Sequence, residues 1–311
     1  MFLPQHGFNG IKVISAKFNV KSTPQMFGRM FSSPATEHAR KVMQKGLPKK
    51  LPIAGVDNII MVSSAKGGVG KSTIAVNLAI ALSRLKASNQ VGVLDSDVFG
   101  PSVPELMGVN GIQPDTNDQK QIIPLQNYGI KCMSIGSLIG KESAVIWRGL
   151  MVMKAVQTLL RQVAWGPLNT LVIDTPPGTG DVHLSLVQNV PIKGSVAVTT
   201  SHSLSLSDTQ RGIEMLLKLN VPLLGVVENM AHFVCPSCKL TTPLWRAADS
   251  MEESGAAKLA DKYEIPLLCQ IPFEPNVLNG KEKGTPVVIS HPNSFTAMAF
   301  VGLASQINGL L

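Results

Sequence analysis

The sequence predicts an α/β fold: a mostly parallel sheet with helices on both faces, and ligands at the carboxyl ends of its strands. Three observations carry that expectation. A glycine-rich loop, Lys66-Gly67-Gly68-Val69-Gly70-Lys71-Ser72-Thr73, lies between a buried-strand pattern over 58–64 and a helical pattern over 74–85. Apolar runs over 90–95 and 171–174 each end in a carboxylate, Asp95 and Asp174. Strand-like and helix-like stretches then alternate to the end of the chain, with strands expected at 195–199, 223–227 and 267–271. Helices are expected over 142–163, 204–219, 255–263 and 294–311.

Each element has a chemical consequence at its end. In the glycine loop, successive backbone N–H groups can wrap a phosphate, the following helix adds its positive end, and glycines let the backbone approach closely. Lys71 then reaches the β- and γ-phosphates and the Ser72 hydroxyl faces Mg²⁺. Ala65 stands where the strict phosphate-loop pattern has glycine, and Lys66 adds a second cation. Such a cation suits charge stabilisation in the transition state, and in a dimer it can be supplied across the interface. Asp174 occupies the strand-end position of a magnesium-holding acid, usually acting through water; a strand-end Asp can also cap a helix, but the spacing and the Pro176-Pro177-Gly178 turn after it favour the metal role. Asp95 and Asp97, at the end of the preceding strand, read either as solvated loop acids or as part of the same site.

The four cysteines are Cys132, Cys235, Cys238 and Cys269. Cys132 and Cys269 stand in apolar, strand-like contexts and read as core thiols. Cys235-Pro236-Ser237-Cys238 has neighbours, Phe233, Val234, Pro243 and Trp245, that suggest a protruding turn. It is not placed like a thioredoxin redox pair. Two thiolates do not close a four-ligand site, but two copies across a two-fold axis supply four. The dimer implied by the cysteine count is the dimer that Lys66 would use; the pair is expected to hold a bridging iron–sulfur cluster, with structural zinc as the alternative. The six histidines show no ligand spacing, and His183 reads as a packed helix residue as readily as a site residue.

The loop resembles the deviant Walker A motif of the MinD/ParA-like NTPases. Leu94-Asp95-Ser96-Asp97-Val98-Phe99-Gly100-Pro101-Ser102-Val103-Pro104 and Asp174-Thr175-Pro176-Pro177-Gly178-Thr179-Gly180-Asp181 resemble the second and third motifs of their Mrp-type iron–sulfur carrier branch. Gly46-Leu47-Pro48-Lys49, Trp147-Arg148-Gly149-Leu150-Met151-Val152-Met153 and Cys235-Pro236-Ser237-Cys238 are similar to the mitochondrial members that serve respiratory complex I. The likeness covers about residues 46 to 311. It implies an ATP-binding homodimer and weak ATP hydrolysis. Asp97 would position the attacking water, Asp95 would support the magnesium shell, and Asn229 and Pro272 would flank the adenine. It also implies a [4Fe–4S] cluster on Cys235 and Cys238, passed to recipient proteins among the complex I subunits. Two departures stand out: Ser201-His202 replaces an expected Pro-Gln, and the stretch from Trp245 to Ser254 replaces a shorter one containing glycine.

Composition excludes several classes. Of 311 residues, 15% are charged and 44% hydrophobic, which suits a globular chain rather than a disordered one. No apolar run approaches the roughly 18 residues of a membrane span, so stable membrane insertion is not expected. The net charge of +8 is unevenly placed: residues 1–36 hold Lys12, Lys17, Lys21 and Arg29 and no acid. That composition marks a mitochondrial transit peptide over 1–31, cut near Phe31/Ser32, followed by an extension over 32–55 and a phosphate-loop domain over 56–311. The expected location is the mitochondrial matrix. A partitioning ATPase working on DNA or membrane, with a zinc-binding cysteine pair, is the alternative function; it calls for a basic patch or tail, and residues 297–311 contain no Lys or Arg. No nucleic-acid partner is expected. A reductase like nitrogenase iron protein uses widely spaced cysteines instead of this pair.

Overall fold

The computed structural model describes residues 50–86, 88, 90–138, 149–245 and 253–311, with Lys281 described by its backbone alone. The expected leader, its processing site, most of the 32–55 extension, Gly46 to Lys49, Trp147-Arg148 and the stretch 246–252 lie outside the described residues. So does the first part of the helix expected over 142–163.

Among the described residues, nine strands form one sheet in the order β3-β4-β2-β5-β1-β6-β7-β8, with β9 also paired to β7. The inner strands are β1 (Val56–Ser63), β2 (Val91–Asp95), β5 (Leu168–Asp174), β6 (Gly194–Thr199) and β7 (Leu223–Val234). All of these pair in parallel, as do β7 with β9 (Leu267–Phe273) and β2 with β4 (Ile130–Ser134). Antiparallel pairing occurs at both ends of the sheet, where β3 (Leu125–Asn127) pairs with β4 and β8 (Thr241–Pro243) pairs with β7.

Strand alternation divides the core into two layers. On one face, Ile60, Val62 and Val172 pack with Ile74, Leu78 and Leu82 of α1 (Lys71–Leu85) and with Phe300, Leu303 and Ile307 of the last helix. On the other face, Met61, Leu171 and Ile173 pack with Val156 and Leu159 of α3 (Gly149–Arg161) and with Leu186 of α4 (Asp181–Asn189). Between β2 and β4 runs the short α2 (Val103–Leu106). The remaining helices are α5 (Ser203–Lys218), α6 (Gly255–Lys262), α7 (Pro275–Glu282), α8 (Val287–Ser290) and α9 (Phe295–Leu310). Ser254 and Ser294 start α6 and α9 by accepting the N–H groups of Ala257 and Ala297, which accounts for where the pattern expects those helices to begin.

The parallel, two-faced sheet agrees with the sequence expectation. Differences are local. The β3–β4 hairpin turns on Tyr128 (φ 51) and Gly129 (φ 80), two left-handed residues that match the twist of a tight hairpin. β7 extends to Val234, well past the expected end at Val227. Cys132 on β4 is fully buried, and burial pushes its thiol up to about 12; Cys269 on β9 is pushed to about 11. Both are the core thiols that their apolar neighbours indicate.

Candidate functional site

The phosphate loop follows β1 and turns through left-handed Gly68 (φ 81) and Gly70 (φ 86) into the first residue of α1. No side chain caps that helix, so its first N–H groups face the loop, the arrangement that receives an anion. The loop is tied from below: Ser64 Oγ donates to the Lys66 carbonyl at 3.0 Å, and the Gly178 N–H donates to the Ser64 carbonyl at 2.9 Å. Gly67, Gly68, Val69, Gly70, Lys71, Ser72 and Thr73 thus form the turn from β1 into α1 with the geometry of a candidate phosphate cradle, and Lys66 beside them is half-buried.

Lys71 is buried and its Nζ lies 2.5 Å from Asp174 Oδ1 and 3.3 Å from Ser72 Oγ. Asp174 Oδ2 is buried without a hydrogen-bond partner. An unpartnered carboxylate oxygen beside a serine hydroxyl fits Mg²⁺, which prefers oxygen ligands. Asp95, also buried, has a different arrangement. Its Oδ1 accepts the Asp97 N–H at 3.0 Å, while its Oδ2 accepts the N–H groups of Ser102 and Val103 and the hydroxyl of Ser134, each at 3.1 Å. Asp95 therefore shapes the loop that carries Asp97 and starts α2. Asp97 in turn accepts from the Phe99 and Gly100 N–H groups at 3.3 and 3.2 Å through Oδ1.

Asn229 lies inside β7, not in a turn after it. Its Nδ2 donates to the Val69 carbonyl at 2.8 Å, and a Cβ on Gly70 would fall 2.2 Å from that nitrogen. It buttresses the loop. Pro272 lies on the neighbouring strand, next to Ile271, which pairs with Asn229. Three residues carry more of the site than sequence patterns indicated. Ser134 helps fix Asp95. Ser201, one of the departures, donates to buried Glu228 and accepts the Ala256 N–H at 3.1 Å. His183 on α4 is fully buried behind the loop with both ring nitrogens unpartnered; burial, then the charge of Lys71, pushes it down to about 4.

The cysteine pair lies apart from the phosphate loop, in the turn joining β7 to β8. The turn is closed by the Cys235 N–H to the Leu240 carbonyl and the Lys239 N–H to the Cys235 carbonyl, both at 2.9 Å. Cys238 is exposed and Cys235 partly so. Backbone N–H groups of Cys238 and Ser237 aimed at its sulfur, the Cys238 thiol and the charge of Lys239 hold the Cys235 thiol below its ordinary range, favouring the metal-binding thiolate. Among the described residues no group of three or more His, Cys, Asp or Glu is placed to hold a metal ion.

The family model described as the NUBPL iron-transfer P-loop NTPase matches residues 55–308. The chain belongs to that family. It is 48% identical over 267 residues to the mouse iron–sulfur cluster transfer protein NUBPL, covering 86% of this chain and 82% of that one. It is 44% identical over 262 residues to an Arabidopsis thaliana iron–sulfur protein required for NADH dehydrogenase, with 84% and 81% covered. Among solved structures, a nucleotide-binding protein from Archaeoglobus fulgidus in complex with ADP is similar at TM-score 0.63 and 35% identity, covering 75% of this chain and 88% of that one. The cell-division ATPase MinD of Pyrococcus furiosus is similar at TM-score 0.58 and 25% identity, covering 82% and 99%.

Burial, then the charge of Asp174, raises the Asp95 carboxyl to about 7, and burial raises Asp174 against the pull of Lys71. A carboxyl whose pKa is higher folded than unfolded holds its proton more tightly in the folded chain. Its contribution to stability therefore falls as pH rises from the usual carboxylate range, about 4, towards about 7. A divalent cation bound at the pair would offset that loss. The thermal shift given by Mg²⁺ with ADP is expected to be larger at pH 7.5 than at pH 5.5; equal shifts would show that the buried carboxylates stay ionised on their own.

Proposed function

We propose that the chain is an ATP-dependent iron–sulfur carrier. Two copies hold one [4Fe–4S] cluster between their Cys235 and Cys238 thiolates and deliver it, in the mitochondrial matrix, to subunits of respiratory complex I. The observation that carries the proposal is the hairpin with two solvent-accessible cysteines, half a ligand set, whose Cys235 is held toward the thiolate, on the strand whose Asn229 braces the phosphate loop. The names of the mouse and Arabidopsis relatives support cluster transfer and the NADH dehydrogenase destination. The acid-free basic leader supports the matrix.

Mg²⁺, when bound, neutralises phosphate charge. Ser72 and Asp174 hold it, and Asp95 supports them by fixing the neighbouring loop. Lys71 binds the β- and γ-phosphates and the glycine loop wraps them. Asp97 orients the attacking water. Lys66 acts across the dimer interface on the charge that develops as the γ-phosphate departs. Asn229 and Pro272 flank the adenine.

Three measurements test this. Anaerobic reconstitution is expected to give about two irons per chain for a bridging [4Fe–4S] cluster, against about half a zinc per chain for bridging zinc. Cys235→Ala or Cys238→Ala should abolish iron binding and Cys132→Ala should not; a full cluster on either of the first two variants would end the bridging model. Lys71→Ala is expected to lose ATP binding, whereas Lys66→Ala and Asp97→Ala keep it and slow turnover by about 100-fold. Turnover at the wild-type rate would remove those two residues from the mechanism. N-terminal sequencing of protein from isolated mitochondria should begin near Ser32, and an intact Met1 would contradict matrix processing.

A further inference from the structure

β7 is clamped on both sides up to Asn229 and released directly after it. Buried Glu228 accepts from Ser201 Oγ on one side and from Gln270 Nε2, at 2.7 Å, on the other. Asn229 pairs with Ile271 and grips the Val69 carbonyl. The ladder to β9 then breaks and resumes at Phe233 opposite Phe273, so β7 bulges between these points. Met230, the first residue of the bulge, adopts φ 53, the left-handed region that non-glycine residues enter at a cost. The hairpin bearing Cys235 and Cys238 springs from the far side of this joint.

Trp245, two residues beyond the end of β8, locks the joint. Its indole N–H donates to the Met230 carbonyl at 2.7 Å, and the adjacent Leu244 N–H donates to the Ala231 carbonyl at 3.3 Å. Its ring stands edge-on to His202, with centroids 5.5 Å apart, and His202 begins α5 by accepting the Leu204 N–H at 3.3 Å. The indole thus connects the base of the cysteine hairpin to the clamped sheet and to a helix start.

We propose that Trp245 is a positioning residue that couples the phosphate loop to the cysteine hairpin. Asn229 Nδ2 occupies the space a Cβ on Gly70 would need and holds the Val69 carbonyl, so a shift of the loop is passed to this part of β7. Met230, held by Trp245, passes the shift into the placement of Cys235 and Cys238. The consequence for cluster retention rests on the function proposed above; the coupling itself requires only that nucleotide binds.

The test uses the full mature chain without cluster. Iodoacetamide alkylation of Cys235 and Cys238 is followed by mass spectrometry, with and without Mg²⁺-ADP or a non-hydrolysable ATP analogue. Nucleotide is expected to change the alkylation rates by about fivefold or more in the wild type. Trp245→Phe keeps an aromatic ring but removes the donor to Met230; it should bind nucleotide with unchanged affinity, which also reports that it folds, and its rates should no longer respond. A packing role alone would shift the rates with and without nucleotide equally and leave their ratio intact. A nucleotide-insensitive wild type, or a Trp245→Phe chain with the wild-type ratio, overturns the coupling. Iron content of the reconstituted wild type is measured alongside: a chain that binds no iron overturns the carrier function while the alkylation ratio still decides the role of Trp245.

Discussion

Lys71 and Asp174 are both out of water, and the site is arranged around their pairing. Neither charge is tolerable in that position without the other; removing one partner of such a pair typically costs about 3–5 kcal/mol. The pairing is fixed by the sheet. Asp174 closes β5 opposite Val62 of β1, and β1 leads through the glycine loop to Lys71 at the head of α1. Register between two central strands therefore sets the separation of the cation from the acid. The pairing also leaves capacity on both groups, since an ammonium has three donors and Asp174 Oδ2 remains free. A phosphate and a divalent cation can be received at this point without building new partners from the fold.

Asp95 shows how a second buried acid is kept from competing with the first. Four donors converge on it, three of them backbone N–H groups, so it organises the turn from β2 into α2. Burial beside Asp174 nevertheless raises its pKa. The two carboxylates thus divide their work by environment: one is consumed in shaping a loop, the other retains an unpartnered oxygen towards the phosphate loop. Asp97, carried by the loop that Asp95 shapes, is buried as well and is held by the Phe99 and Gly100 N–H groups.

Most of the fold was legible because its signals are local. Uninterrupted apolar runs such as Ile59 to Val62 mark strands covered on both faces, and glycine at Gly68 and Gly70 is needed for left-handed backbone. What escaped the sequence depends on long-range placement. The Tyr128-Gly129 turn lacks the usual Asn-Gly signal. The continuation of β7 past Val227 opens on two polar residues, Glu228 and Asn229, which are satisfied by Ser201, Gln270 and Val69, partners remote in sequence. The same cause hid the buttressing role of Asn229, whose spacing gives no indication of the carbonyl it would meet. His183 is the packed helix residue that one of its two sequence readings expected, but that both its ring nitrogens would be left unpartnered depends on how α4 packs behind the loop.

Ligands divided between copies change what holding a cargo means. A closed four-ligand site within one chain binds metal through a single preorganised cage, and release requires that cage to open. Two thiols on an exposed hairpin provide half of such a set, so retention on the proposed function depends on how long two hairpins stay opposed. In the sheet Glu228 is anchored on both sides, and the ladder to β9 is interrupted after Asn229, where Met230 takes φ 53 and is held by Trp245 instead. That boundary lies immediately beyond the residue bracing the phosphate loop. On the proposed coupling, binding energy spent at the loop biases the placement of the thiols through the Trp245 contact at Met230 while the clamped pairing of β7 stays in register.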